Sequence, residues 1–106
     1  MIIKAGKNKF DVVLYKNIIQ HFIGLMFKIP KNDGILMHFN KENIIRLHTF
    51  FVFFRIDIVY FDDNKNVVKI IKNVRPFKFY IKGVKCKYIL EVKDCKNIKL
   101  FDKLSI

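Results

Sequence analysis

The chain is expected to fold as a mainly β, β-rich α+β domain: a small antiparallel, partly closed or barrel-like sheet with one short helix. Three observations lead there. Short runs rich in Val, Ile, Phe and Tyr recur along the chain, clusters of Gly, Asn, Asp and Lys separate them, and only residues 17–24 carry a helical period. At 106 residues and 52% hydrophobic, the chain can build one core without metal or disulfide staples, so residues 1–106 are expected to form a single domain. A charged fraction of 28% with a mean hydropathy of +0.15 argues against disorder.

Residues 2–4 and 10–15 are β-prone runs across the turn-formers Gly6, Lys7 and Asn8, which predicts an opening hairpin. Residues 17–24 then place Asn17, Gln20, His21 and Gly24 at i, i+3, i+4, i+7, opposite a stripe of Ile18, Ile19, Phe22 and Ile23. Asn17 suits the N-cap and Gly24 the left-handed C-terminal position, so this helix should last about two turns. Residues 30–34 read as a loop, and 35–39 and 44–54 as strands joined by a polar turn at 40–43.

Two further hairpins follow. The clearer one joins 57–61 to 67–72 around Asp62, Asp63, Asn64, Lys65 and Asn66. In the other, Phe77, Phe79 and Ile81 alternate with Lys78, Tyr80 and Lys82, while Cys86, Tyr88, Leu90 and Val92 alternate with Lys85, Lys87, Ile89, Glu91 and Lys93. Residues 100–106 are expected to close the sheet. The expected core is Ile18, Phe22, Leu36, Phe39, Phe50, Ile58, Tyr60, Val68, Ile70, Leu90 and Val92.

The longest nearly uncharged run, 47–61, is broken by Arg55 and Asp57 and is shorter than the roughly 18–20 residues that cross a bilayer. Residues 1–15 alternate Lys with apolar residues and lack a continuous apolar segment and a small-residue cleavage site, so a cytoplasmic protein is expected. Cys86 and Cys95 flank an extended segment that would hold them beyond the ~7 Å disulfide limit, so both should be free thiols.

The net charge of +12 would favour nucleic acid, acidic lipid or an acidic protein. All but three of the 21 basic residues are Lys, in a chain also crowded with Ile, Asn and Phe, and an AT-rich codon choice explains that bias equally well.

Several motifs make the chain similar to a known family. Gly24-Leu25-Met26-Phe27-Lys28, Gly34-Ile35-Leu36-Met37-His38-Phe39, His48-Thr49-Phe50-Phe51, Ile56-Asp57-Ile58-Val59-Tyr60-Phe61-Asp62 and Tyr88-Ile89-Leu90-Glu91-Val92 occur in the order of the family called domain of unknown function 192. The resemblance spans nearly the whole chain and brings no activity with it. The chain departs from the family where Phe53 replaces a basic residue, Arg55 replaces Pro, and Phe101 replaces Gly; Arg55 would restore the cation about 7 Å along an extended strand.

The candidate ligand site follows from the central motif. Arg55 is a fork-shaped donor for an anion or polar group, Asp57 its orienting acceptor, and His48, Thr49 and Lys28 its neighbours; a plain Arg55–Asp57 ion pair is the competing structural explanation. An alternative is a nucleic-acid face of Lys78, Tyr80, Lys82, Lys85, Lys87 and Lys93, which a solvated lysine edge explains equally. No glycine-rich phosphate loop or metal-ligand spacing is present, and Ser105 is the sole Ser. Asp62, Asn64 and Asn66 begin like a calcium loop, but Val67 stands where Gly is required. The expectation is a binding or accessory module for a small polar or anionic ligand or a protein partner, with no cofactor or metal; nucleic-acid binding comes second and an enzyme of unknown class third.

Overall fold

A computed structural model gives the structure of residues 1–16, 33–44, 55–75, 81 and 83–106. Every regular element among them is a strand: β1 Ile2–Ala5, β2 Asn8–Tyr15, β3 Gly34–Ile44, β4 Ile56–Phe61, β5 Val67–Val74, β6 Lys85–Val92 and β7 Leu104–Ser105. They form one sheet in the order β5-β4-β6-β3-β2-β1-β7. The helix expected at 17–24 lies outside the described residues, as do Lys28, 45–54 and 76–80.

All strand pairs are antiparallel except β2 with β3, which run parallel from Val12 opposite Gly34 to Tyr15 opposite Met37. A tight turn cannot join parallel neighbours, and the connection from Tyr15 to Gly34 has the length such a crossover needs. The two outermost strands also meet. Val67 N–H donates to Asp102 O at 2.9 Å, Phe101 N–H to Val67 O at 2.9 Å and Leu104 N–H to Lys65 O at 2.8 Å, so the sheet curls into a partly closed barrel.

Two expected hairpins are present. Between β1 and β2, Gly6 takes a φ of 60°, and a Cβ there would fall 2.5 Å from Asp102 Oδ2. Both facts call for glycine. Between β4 and β5, Asp62 Oδ1 accepts the N–H groups of Asn64 and Asn66, each at 2.9 Å, and Lys65 supplies the left-handed residue at φ 66°. The segment that opened like a calcium loop is thus an aspartate-stabilised turn.

One expectation is corrected. Residues 40–43 form no turn: β3 continues through them to Ile44, and its ladder with β6 shifts register between His38 and Asn43. A bulge lets a strand carry a polar stretch that sequence reads as a break. Residues 77–80 and 82 of the hairpin expected with β6 lie outside the described residues. The Tyr88–Val92 segment of β6 is bonded to β3 on one edge and to β4 on the other.

This central position gives two cores. One lines the inside of the curl with Phe10, Val12, Leu36, Val59, Phe61, Tyr88, Leu90 and Leu104. The other covers the outer face of β3, β6 and β4 with Ile35, Met37, Ile56, Ile58, Tyr60, Cys86 and Ile89. With both faces covered, all six residues of β4 are buried. Of the expected core, Leu36, Ile58, Tyr60, Leu90 and Val92 are buried, and Phe39, Val68 and Ile70 pack against the clusters half-buried. Ile18, Phe22 and Phe50 lie outside the described residues.

Candidate functional site

Asp57 is buried at the end of the inner core, and its environment accounts for both carboxylate oxygens. Between β4 and β5 the register runs from Ile56 opposite Val74 to Ile58 opposite Ile71, so Lys72 and Asn73 together face Asp57. This bulge turns Asn73 to a φ of 61° and removes its N–H from the ladder. Asp57 Oδ1 takes that N–H at 2.8 Å, and Oδ2 takes the Cys95 N–H at 2.8 Å. The carboxylate therefore ties the β5 bulge to the segment after β6. Arg55 is exposed immediately before β4, and no ion pair among the described residues joins it to Asp57. His48, Thr49 and Lys28 lie outside the described residues.

The lysine strip is similarly divided. Lys85 pairs with Glu42 at 3.6 Å and Lys87 with Asp63 at 3.3 Å, while Lys93 is exposed. Lys78, Tyr80 and Lys82 lie outside the described residues. Ile89 and Glu91, which the same alternation assigned to solvent, are buried because β6 is covered on both faces.

Glu91 is the residue that alternation misplaced. It stands on the outer face of β6, opposite Ile58 of β4 on one side and Ile35 of β3 on the other, and is 5% exposed. No hydrogen bond or ion pair holds its carboxyl among the described residues. Burial pushes its pKa up to about 7. Tyr60 pairs with Ile89 in the β4–β6 ladder, so it shares this face and sits diagonally from Glu91.

The Tyr60 hydroxyl is completely buried and has no hydrogen-bond partner. Burial chiefly, then Cys86 and Glu91, raises the phenol pKa far above its ordinary value, so it stays protonated. Lys69, opposite Tyr60 on β5, holds its Nζ 6.0 Å from the ring centroid. Two polar groups with unused hydrogen-bonding capacity thus share one otherwise apolar surface. Native proteins seldom leave such groups unpaired, because each costs the free energy of its lost hydration. The available sequence signal was a single carboxylate inside the apolar run 88–92.

The two cysteines lie in different cores, Cys86 outside and Cys95 inside, and both are buried and outside any disulfide. Burial first, then the neighbouring Asp57, pushes the Cys95 thiol up to about 11. His38 stacks on its ladder partner Tyr88 with ring centroids 4.6 Å apart. Among the described residues no group of three or more His, Cys, Asp and Glu could hold a metal ion, and no helix is long and apolar enough to cross a membrane.

Fold and site together define a small curled β-sheet protein whose outer face buries a tyrosine hydroxyl and a glutamate carboxyl that have no hydrogen-bond partner among the described residues. Residues 1–99 match the DUF192 profile, described as an uncharacterised conserved region, and the chain belongs to that family. Its relatives include the UPF0127 protein of Pyrococcus horikoshii, 30% identical over 95 residues, or 86% of this chain and 82% of that protein. The UPF0127 protein of Pyrococcus furiosus is 30% identical over 108 residues, covering 97% and 92%.

Two crystal structures share the fold. A Novosphingobium aromaticivorans protein of unknown function matches with a TM-score of 0.85 at 18% identity, over 99% of this chain and 84% of that one. A proposed transcription regulator from Sinorhizobium meliloti matches with a TM-score of 0.87 at 16% identity, over 97% and 90%.

Proposed function

We propose that the domain is a non-catalytic binding module for a small polar ligand that engages Tyr60 and Glu91. One observation carries this reading: a buried tyrosine hydroxyl without a partner, on the same face as a buried carboxyl that no described residue hydrogen-bonds. A ligand able to hydrogen-bond both would remove a cost the free protein bears. An anionic ligand at Arg55 with His48, Thr49 and Lys28 has less support, since Asp57 gives both oxygens to backbone N–H groups and is not free to orient the guanidinium. The test is a screen of small polar compounds by NMR, following the methyl groups of Ile35, Ile58 and Ile89 around Glu91. Responses at these methyls that vanish in Tyr60→Phe are expected; responses confined to Arg55 and its surroundings would overturn the assignment.

A second reading has its own observation. Lys4 and Lys9 are exposed and directly opposed across β1 and β2, Lys96 Nζ lies 3.5 Å from Lys9 O, and Lys72 Nζ lies 3.4 Å from Lys96 O. Like charges set opposite each other are unfavourable, and a polyanion such as nucleic acid would relieve them. The similar Sinorhizobium protein, described as a proposed transcription regulator, points the same way. Oligonucleotide binding through these four lysines should fall with salt at a log–log slope of about −3 and flatten on charge reversal at Lys4 and Lys9. Absence of binding at low salt would remove this reading.

A further inference from the structure

We infer that the group recognised at Tyr60 and Glu91 is uncharged and amide-like, offering one hydrogen-bond donor beside one acceptor. The inference rests on the binding reading above and names the ligand chemistry. The described groups facing the site limit it. β3 presents Ile35 and Met37, β4 presents Ile58 and Tyr60, and β6 presents Ile89, Glu91 and Cys86. Among the described residues no cation makes an ion pair with Glu91, and Lys69 of β5 lies over the Tyr60 ring.

With no ion-pair partner among the described residues, burial among isoleucines disfavours the carboxylate, so below its pKa of about 7 Glu91 stands as the neutral acid. A neutral carboxyl carries one O–H donor and one carbonyl acceptor side by side. An amide edge is its complement: the amide N–H donates to the carboxyl C=O, and the carboxyl O–H donates to the amide C=O. Tyr60, also protonated, adds a donor or acceptor from the neighbouring strand. An anion would confront Glu91 as soon as it ionised. A cation would require Glu91 to ionise inside an apolar surface.

Three fragments of similar size separate these cases: acetamide, acetate and methylammonium. Each is titrated into protein with labelled isoleucine methyls, at about pH 6 and about pH 8.5, either side of the Glu91 pKa. Acetamide is expected to shift Ile35, Ile58 and Ile89 at the lower pH and to bind more weakly at the higher one, as Glu91 ionises. Glu91→Gln, which keeps a donor beside an acceptor, should retain binding and lose the pH dependence. Glu91→Leu should weaken it by about tenfold, the loss of a hydrogen-bonding group. If acetate or methylammonium moves these methyls and acetamide does not, the site stands and the ligand class is wrong. If none of the three moves them, the site itself is wrong.

Discussion

At the scale of single residues, Asp57 and Phe101 perform opposite services for the backbone. Asp57 accepts two N–H groups that the ladder cannot use, one from the Asn73 bulge and one from Cys95. Asp57→Ala would orphan both, and at about 1–3 kcal/mol for the buried Cys95 N–H and about 1 kcal/mol for the part-buried Asn73 N–H the expected loss is roughly 2–4 kcal/mol, read from urea denaturation. Phe101, by contrast, holds a left-handed φ of 70° while its N–H bonds Val67 O, with a ring that is 80% exposed. The turn for which the family resemblance requires Gly is kept, at the expense of backbone strain. Phe101→Gly should therefore stabilise the protein by roughly 0.5–1 kcal/mol, the left-handed penalty less the added flexibility of the unfolded chain. Phe101→Ala, which retains the strain, should give no gain.

At the scale of elements, the close approach of β3 to β6 depends on Gly34. A Cβ at that position would collide with the Glu91 carbonyl oxygen and sit 2.9 Å from Val92 Cγ1, contacts that backbone cannot easily yield. Gly34→Ala is expected to cost about 1–3 kcal/mol, and to shift the NMR signals of Glu91 and Val92 before those of distant β1. The sequence disclosed elements where local chemistry decides them. Gly6 and the Asp62–Asn66 turn mark two hairpins because one φ requirement and one side-chain acceptor suffice. It marked β6 as a strand but concealed its neighbours, because alternation reports exposure on one face only, and β6 is inserted between β3 and β4 by pairings remote in sequence. The same limit hid half of the candidate site. Tyr60 was legible as a core residue, whereas Glu91, one step out of phase with Leu90 and Val92, carried no sign of burial.

At the scale of the whole molecule, Glu91 makes stability depend on pH. Its ordinary pKa of 4.5 rises to about 7 in the folded protein. Below 4.5 the carboxyl is protonated in both folded and unfolded chains and costs nothing through this equilibrium. Between 4.5 and 7 the unfolded chain releases the proton and the folded one keeps it, so the unfolded state binds fewer protons and stability falls as pH rises. Above 7 the loss is complete, on the order of 3 kcal/mol from a shift of this size. The sign is opposite to that of a salt-bridged carboxylate, which loses stability towards acid. Guanidinium denaturation across this range should show the fall in the wild-type protein and a flatter profile in Glu91→Gln, which has no proton to lose. Parallel profiles would mean that Glu91 ionises freely in the folded chain. A residue that lowers stability near neutrality, in a face otherwise largely apolar, is what the proposed binding role would account for and the fold alone does not.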